Sequence, residues 1–231
     1  MPPTNLAQAL QDAMIDVGRR LHARGLVAAS DGNLSARLED GGILITASGA
    51  HLGELTQDDF VCVMADGTPA GAGRAPSSEM PLHLSVYRLR PEVWAVVHAH
   101  PPIATAFSFA GLPLDEPVIP EVVVALGRIG LAPYATPGSS EGADAIARVI
   151  AAHDAIVLER HGVVTVGGAP LDAYWKMEKV EHAADILFRA RLLGRVTPLS
   201  RDELERLASL FERMKLGTRD DFWRRLGTRS G

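Results

Sequence analysis

The chain has 231 residues, 47% of them hydrophobic, and carries 23 Lys plus Arg against 28 Asp plus Glu, a formal net charge of -5. That length and apolar fraction allow one large buried core, while the acidic balance excludes the global basic excess that a nucleic-acid partner demands. The single cysteine, Cys62 in the apolar run FVCVM, excludes an internal disulfide and fits a reduced, cytoplasmic compartment. No run approaches the roughly 18 apolar residues of a membrane span, and the start MPPTNLAQAL lacks the order of a secretory signal.

In chain order, Thr4 or Asn5 caps a first helix in which Leu6, Leu10, Met14, Val17 and Leu21 recur at helical spacing, with Gly25 as its stop. NLSARL and ILITAS flank the turn EDGG and read as a hairpin, and FVCVM followed by ADG as another strand and turn. SSEMPLHLSVYRLRP carries Leu82, Val86 and Leu89 at helical spacing and stops at Pro91, so Glu79 stands near a helix start. WAVVHAH is the next strand, with Trp94 to Val97 as its interior, and Pro101 and Pro102 end it and open a short helix through Phe107.

An apolar segment around EVVVALG, a helix in SSEGADAIARVIAAHD and paired strands AIVLE and GVVTVG follow. Helices near 170–193 and 200–215 close the chain, the second opened by Ser200 with Glu203 in a capping box. Residues 1–231 are expected to form one domain in which a mixed or antiparallel sheet carries helices on its faces, with 216–231 as a solvated or frayed tail.

The pattern His-x-His at His98 and His100 puts two imidazoles on one side of a strand at its carboxyl end. A catalytic metal commonly takes three protein ligands. Of the remaining histidines His161 is the best third, because it lies at the strand-to-strand corner RHG, where Gly162 permits a tight turn. His83 falls one helical turn after Glu79 and is given a supporting role. His22, His51, His153 and His182 are read as structural. The segments SDGNLS (30–35), TASG (46–49) and SSE (77–79) offer turns, hydroxyls and amides of the kind that cradle a phosphate without cationic side chains.

In order, GNLS, ITASG, SSE, HAH, APYAT and RHG resemble the class II aldolase/adducin family, of the L-fuculose-1-phosphate aldolase type, from about residue 5 to about residue 210. The resemblance implies an α/β fold, a three-layer α/β/α sandwich around a largely antiparallel central sheet. It implies a divalent metal on His98, His100 and His161, most often Zn2+ with Mn2+ or Co2+ as alternatives, and Glu79 as general acid/base. Asn33, Ser48, Gly49, Ser77 and Ser78 fall on the family's phosphate-binding positions, with Ser30 where a threonine is common and Gly32 beside them. A homotetramer with sites between subunits, acting on a phosphorylated sugar, is the implied assembly. A Schiff-base lysine is not required, and the three lysines, Lys176, Lys179 and Lys215, all lie toward the C-terminus.

The expected reaction is reversible cleavage of a short ketose 1-phosphate to dihydroxyacetone phosphate and an aldehyde. A metal-dependent decarboxylase and a non-catalytic adducin-like binding module are the alternatives, the second opposed by retention of all three histidines and Glu79. The epimerase branch of the family generally has aspartate where this chain has Glu79. The tyrosine that protonates the aldehyde in the fuculose-phosphate enzyme is replaced near Val124, and Glu121 beside it is read as solvated. Arg74 is read as an exposed loop arginine with carboxylate recognition as the alternative, Tyr134 as buried with its hydroxyl satisfied, and Phe222 and Trp223 as packed or frayed rather than closing over the site.

Overall fold

The computed structural model describes residues 5–227; the candidate cap Thr4 and the last tail residues, Arg229 among them, lie outside the described residues. Helix α1 (Asn5–Ala23) buries Met14, Val17 and Leu21, the stripe its periodicity marks. Seven strands follow: β1 (Asn33–Arg37), β2 (Ile43–Thr46), β3 (Phe60–Val63), β4 (Ala95–Ala99), β5 (Gly130–Ala132), β6 (Ala155–Leu158) and β7 (Gly162–Gly167). They form one sheet in the order β3-β2-β1-β4-β7-β6-β5, antiparallel throughout except for the β5–β6 pair. The edge strand β5 and helix α4 (Pro120–Leu126), in the segment around EVVVALG, were not resolved as elements by periodicity alone.

Alternation along β4 divides the core. Ala95, Val97 and Ala99 join α1, α3 (Pro102–Phe109) and α6 (Pro170–Leu193) on one face, while Val96 joins α2 (Met80–Leu89) and α5 (Ser140–Ala147) on the other. The result is the three-layer α/β/α sandwich. At about 1.5–3 kcal/mol for each large aliphatic side chain removed from water, these two layers dominate the stability. Trp94 departs from its expected place: it precedes β4 and is 43% exposed, although its backbone N–H still donates to Gly167.

The double proline acts as expected, with Pro101 at the N-cap and Pro102 opening α3. The first free amides of α3, those of Ile103 and Ala104, donate to the two carboxylate oxygens of Glu181 on α6, each at 2.9 Å. Helix α2 is anchored at its far end. Arg90 donates to Asp154 at 2.9 Å and to the Ile150 carbonyl at 2.8 Å.

The tail is more ordered than its composition implies. After α7 (Arg201–Arg213), residues Arg219–Arg225 form α8. Phe222 and Trp223 pack against Phe211, Ala208 and Val123 in a third apolar cluster, away from the histidines.

Candidate metal centre and its cleft

Strand register brings the motifs together. Asn33 on β1 pairs with His98 on β4, and His98 pairs with Val164 on β7, so GNLS and RHG lie on either side of HAH. His98 is fully buried at the end of β4, and its Nδ1–H donates to the Val163 carbonyl at 3.0 Å, which leaves Nε2 as the ring nitrogen that faces Glu79 and His100. His100 Nε2 lies 3.1 Å from His98 Nε2. With one nitrogen from each, His98, His100 and His161 converge so that all three ligand atoms lie within 4.8 Å of one another.

Gly162 serves a different purpose from the one read in RHG. The left-handed residue at that corner is Arg160, at φ 57°, and Gly162 has no positive φ. What excludes a side chain at Gly162 is proximity: a Cβ there would sit 2.5 Å from the Ala99 carbonyl oxygen and 2.6 Å from His100 Cδ2. Gly32 is constrained both ways, at φ +78° and with a Cβ position 2.7 Å from the His98 carbonyl oxygen.

Glu79 is the N-cap residue of α2 and is largely buried. Its Oε2 lies 3.0 Å from His98 Nε2 and accepts from Asn33 Nδ2 at 2.9 Å, and its Oε1 lies 3.5 Å from His161 Nε2. Burial pushes its pKa up, but the charge and hydrogen bond of His98, the Asn33 amide and the charge of His161 outweigh that and hold the carboxyl well below the usual range. Burial, then repulsion from His98, lowers His161 to about 4 and also lowers His100. Rings that resist protonation keep their lone pairs available as ligands at neutral pH.

The donor set fits a divalent cation. His98 Nε2 stands 3.0 Å from a carboxylate oxygen of Glu79 and 3.1 Å from His100 Nε2, a spacing at which one cation could take a lone pair from each ring beside the carboxylate. Asp31, which the sequence reading passed over, places Oδ2 3.5 Å from His100 Nδ1, where it can orient that ring.

His100, His161 and Glu79 open onto a cleft of about 220 Å³, and Ser30, Gly32, Asn33, Ser48, Gly49, Ser77 and Ser78 all line it. Backbone pairing joins two of its walls: Ser48 N–H donates to Ala75 and Ser77 N–H to Thr46. The amides of those two residues are therefore occupied, and the Ser77 hydroxyl oxygen accepts from the Glu79 N–H at 3.3 Å. Pro137 and Gly138 add a further wall.

Other candidates lie apart from the cleft. Arg74 binds Asp59 and the Ser48 carbonyl, so its guanidinium is engaged in holding the loop. Tyr134 is exposed rather than buried, in the loop that follows edge strand β5. Glu121 is exposed at the start of α4, as expected, and Val124 packs toward α7 and α8. His83, by contrast, is fully buried between Asn33 and Ser35. Ser35 and Tyr87 belong to the same polar cluster; the spacings 33/35 and 79/83/87 were the signal available for them.

A seven-stranded, mostly antiparallel sandwich with three histidines and a carboxylate at one cleft defines a class of proteins before any comparison is made. The chain belongs to the class II aldolase and adducin family: residues 12–188 match Class II Aldolase and Adducin N-terminal domain. It is 35% identical over 190 residues to the 3-oxo-tetronate 4-phosphate decarboxylase of Haemophilus influenzae, covering 80% of this chain and 89% of that one. It is 31% identical over 209 residues to the 5-deoxy-D-ribulose 1-phosphate aldolase of Bacillus thuringiensis serovar kurstaki, covering 90% and 97%. Among solved structures, L-fuculose-1-phosphate aldolase from Thermus thermophilus superposes with a TM-score of 0.73 at 33% identity, covering 84% of this chain and 100% of that one. All three relatives are named as carbon–carbon lyases.

Proposed function

We propose that the protein is a metal-dependent lyase that releases dihydroxyacetone phosphate from a phosphorylated keto substrate, by reversible aldol cleavage of a short ketose 1-phosphate. The observation that carries this is the position of Glu79, 3.0 Å from His98 within the histidine cluster and at the edge of a hydroxyl-rich cleft. A divalent ion held by His98, His100 and His161, zinc first and manganese or cobalt with the same donors, supplies electrophilic stabilisation of negative charge on the substrate's carbonyl oxygen. No lysine or arginine lines the cleft among the described residues, so the phosphate is held by Ser30, Ser48, Ser77 and Ser78 hydroxyls, the Asn33 amide and backbone at Gly32 and Gly49.

Glu79 is ionised at rest, so the first proton it handles is one it accepts. It takes the proton of the C4 hydroxyl as the C3–C4 bond breaks; the bond's electron pair remains on C3 as an enediolate, and C4 leaves as the aldehyde. The same proton is then delivered to C3, giving dihydroxyacetone phosphate with no net proton exchanged. One carboxylate suffices for that cycle.

Decarboxylation is the second reading, favoured by the identity to the 3-oxo-tetronate 4-phosphate decarboxylase. Loss of carbon dioxide from such an acid leaves the electron pair on its C2, which is the same enediolate, and a solvent proton carried by Glu79 completes the same product. The shared half-reaction is therefore the first test. Zinc-loaded protein incubated with dihydroxyacetone phosphate in heavy water should exchange a carbon-bound hydrogen at the hydroxymethyl carbon, read by proton NMR. Glu79→Gln should keep its zinc and slow that exchange by about 10²–10⁴-fold. Absence of exchange in zinc-loaded wild type, or full exchange in Glu79→Gln, overturns the assignment. Aldol products with added aldehydes, against carbon dioxide from 3-oxo-tetronate 4-phosphate, then decide between the two leaving groups.

The same reading carries a homotetramer in the cytoplasm as its assembly, supported by the exposed apolar side chains Phe109, Leu112 and Leu131. Light scattering tests it. No described helix is long and apolar enough to cross a membrane.

A further inference from the structure

Two stripes of polar side chains interlock beneath Glu79. Helix α2 and its cap contribute Glu79, His83 and Tyr87, each four residues from the last and so on one face, and β1 contributes Asn33 and Ser35, two apart on one side of the strand. They alternate in space: Tyr87 hydroxyl to Ser35 Oγ, 2.8 Å; Ser35 Oγ to His83 Nδ1, 2.6 Å; His83 Nε2 to Asn33 Oδ1, 2.6 Å; Asn33 Nδ2 to Glu79 Oε2, 2.9 Å. Asn33, Ser35, His83 and Tyr87 are each at most 5% exposed. At the far end Arg37, next on the strand stripe, donates to the Tyr87 carbonyl at 2.9 Å and lies over the Tyr87 ring.

The polarity of this ladder is determined at one end. An ionised carboxylate only accepts, so Asn33 must turn its NH₂ toward Glu79 and its Oδ1 toward His83. His83 Nε2 must then carry the hydrogen. A neutral ring has only one N–H, so Nδ1 is bare and Ser35 donates to it, leaving Ser35 Oγ to accept from Tyr87. Every bond runs toward Glu79. An amide has two nearly isosteric orientations; Glu79 repels the one with oxygen facing it, and His83, with Nε2–H against Oδ1, holds the other from the opposite side.

We propose that His83 is a positioning residue: by donating Nε2–H to Asn33 Oδ1 it locks the Asn33 amide in the orientation that aims its N–H at Glu79 and holds that carboxylate beside the histidine cluster. His83 touches neither substrate nor metal and acts only through Asn33. The proposal rests on the reading of Glu79 as the proton-transfer group.

The experiment has an arm that needs no activity. Long-range proton–nitrogen correlation NMR of zinc-loaded wild type at neutral pH, with His83 assigned by its absence in His83→Gln, should show Nε2 protonated and Nδ1 bare. An Nδ1–H tautomer or an imidazolium overturns the proposal, whatever the variants do.

In the dihydroxyacetone phosphate exchange assay, His83→Phe should keep its zinc and lower the rate constant by about 100-fold, the scale of a carboxylate misplaced by about an ångström, with KM moved far less. His83→Gln, whose side-chain amide presents N–H near the place of Nε2–H, should recover most of the rate. A rate in His83→Phe equal to wild type, while Glu79→Gln is inactive, overturns the positioning role alone. Full exchange in Glu79→Gln overturns the reading beneath it as well. If His83→Phe does not fold, the wild-type tautomer and the recovery in His83→Gln decide.

Discussion

Gly162→Ala adds one methyl group at the place where β7 passes closest to the histidine pair. Built on the native backbone, its Cβ would sit 2.5 Å from the Ala99 carbonyl oxygen, 2.6 Å from His100 Cδ2 and 3.2 Å from His98 Cε1, whereas real Cβ atoms essentially never approach within 3.0 Å. Relief requires a movement of several tenths of an ångström by backbone on one side and the His100 ring on the other. Overpacking of this kind costs about 1–3 kcal/mol. At this chain length, that lowers Tm by roughly 2–12 °C. The loss of metal should exceed what the stability change implies, because the displaced ring is one of three converging imidazoles. Differential scanning calorimetry with and without zinc, together with metal analysis after dialysis, reads both quantities. A variant with wild-type Tm and full zinc would refute the claim that Gly162 is there for close approach.

His161→Ala should fold and yet hold far less zinc than wild type, since two ligands replace three in the expected set; equal zinc content in the two proteins would place the metal elsewhere. In the metal-free protein, burial and repulsion from His98, opposed by Glu79, lower His83 to about 3 against 6.5 when exposed. Between those values the unfolded chain binds a proton that the folded chain does not. His83 therefore costs stability as pH falls below about 6.5, by about 1.4 kcal/mol per unit until near pH 3, and has no effect above that window. Urea unfolding of the metal-free protein from pH 7 to 4.5 should show a slope that is shallower in His83→Gln, and identical slopes would contradict it. Trp223→Ala, which empties the centre of the α7–α8 cluster where Arg201 also stacks on the indole at 3.8 Å, should cost about 3–5 kcal/mol, roughly 6–20 °C in Tm. A shift below 2 °C would mean that the C-terminal helix contributes nothing to the fold.

Much of the site was legible because its chemistry is written at local spacings. His98 and His100 share a side because a strand repeats every two residues, and Glu79 lies at a helix start because SSE precedes the apolar stripe of Leu82 and Val86. The small polar turns SDGNLS, TASG and SSE do meet at one cleft, which is lined by the seven residues that the family resemblance pointed to. The weaker readings failed for local reasons too. Trp94 looks like strand interior when only its neighbours are weighed, and Tyr134 looks like core until β5 proves to be an edge. Of the two readings for Phe222 and Trp223, packing holds, with partners on α4 and α7 that composition in a basic tail does not disclose.

What the residues settle by themselves, then, is which side chains stand together within one strand, one helix or one turn. Periods of 2 and 3.6 are properties of the local backbone, and they specify the His98–His100 pair and the 79/83/87 stripe without reference to the rest of the chain. Only the tertiary structure decides that β1 and β7 flank β4, that Asn33 pairs with His98, and that His161 arrives from a distant part of the chain to complete the cluster. That order depends on burying both faces of the sheet at once, a requirement summed over the whole core. The close approach at Gly162 and the one-way ladder through His83 exist only once that packing is complete.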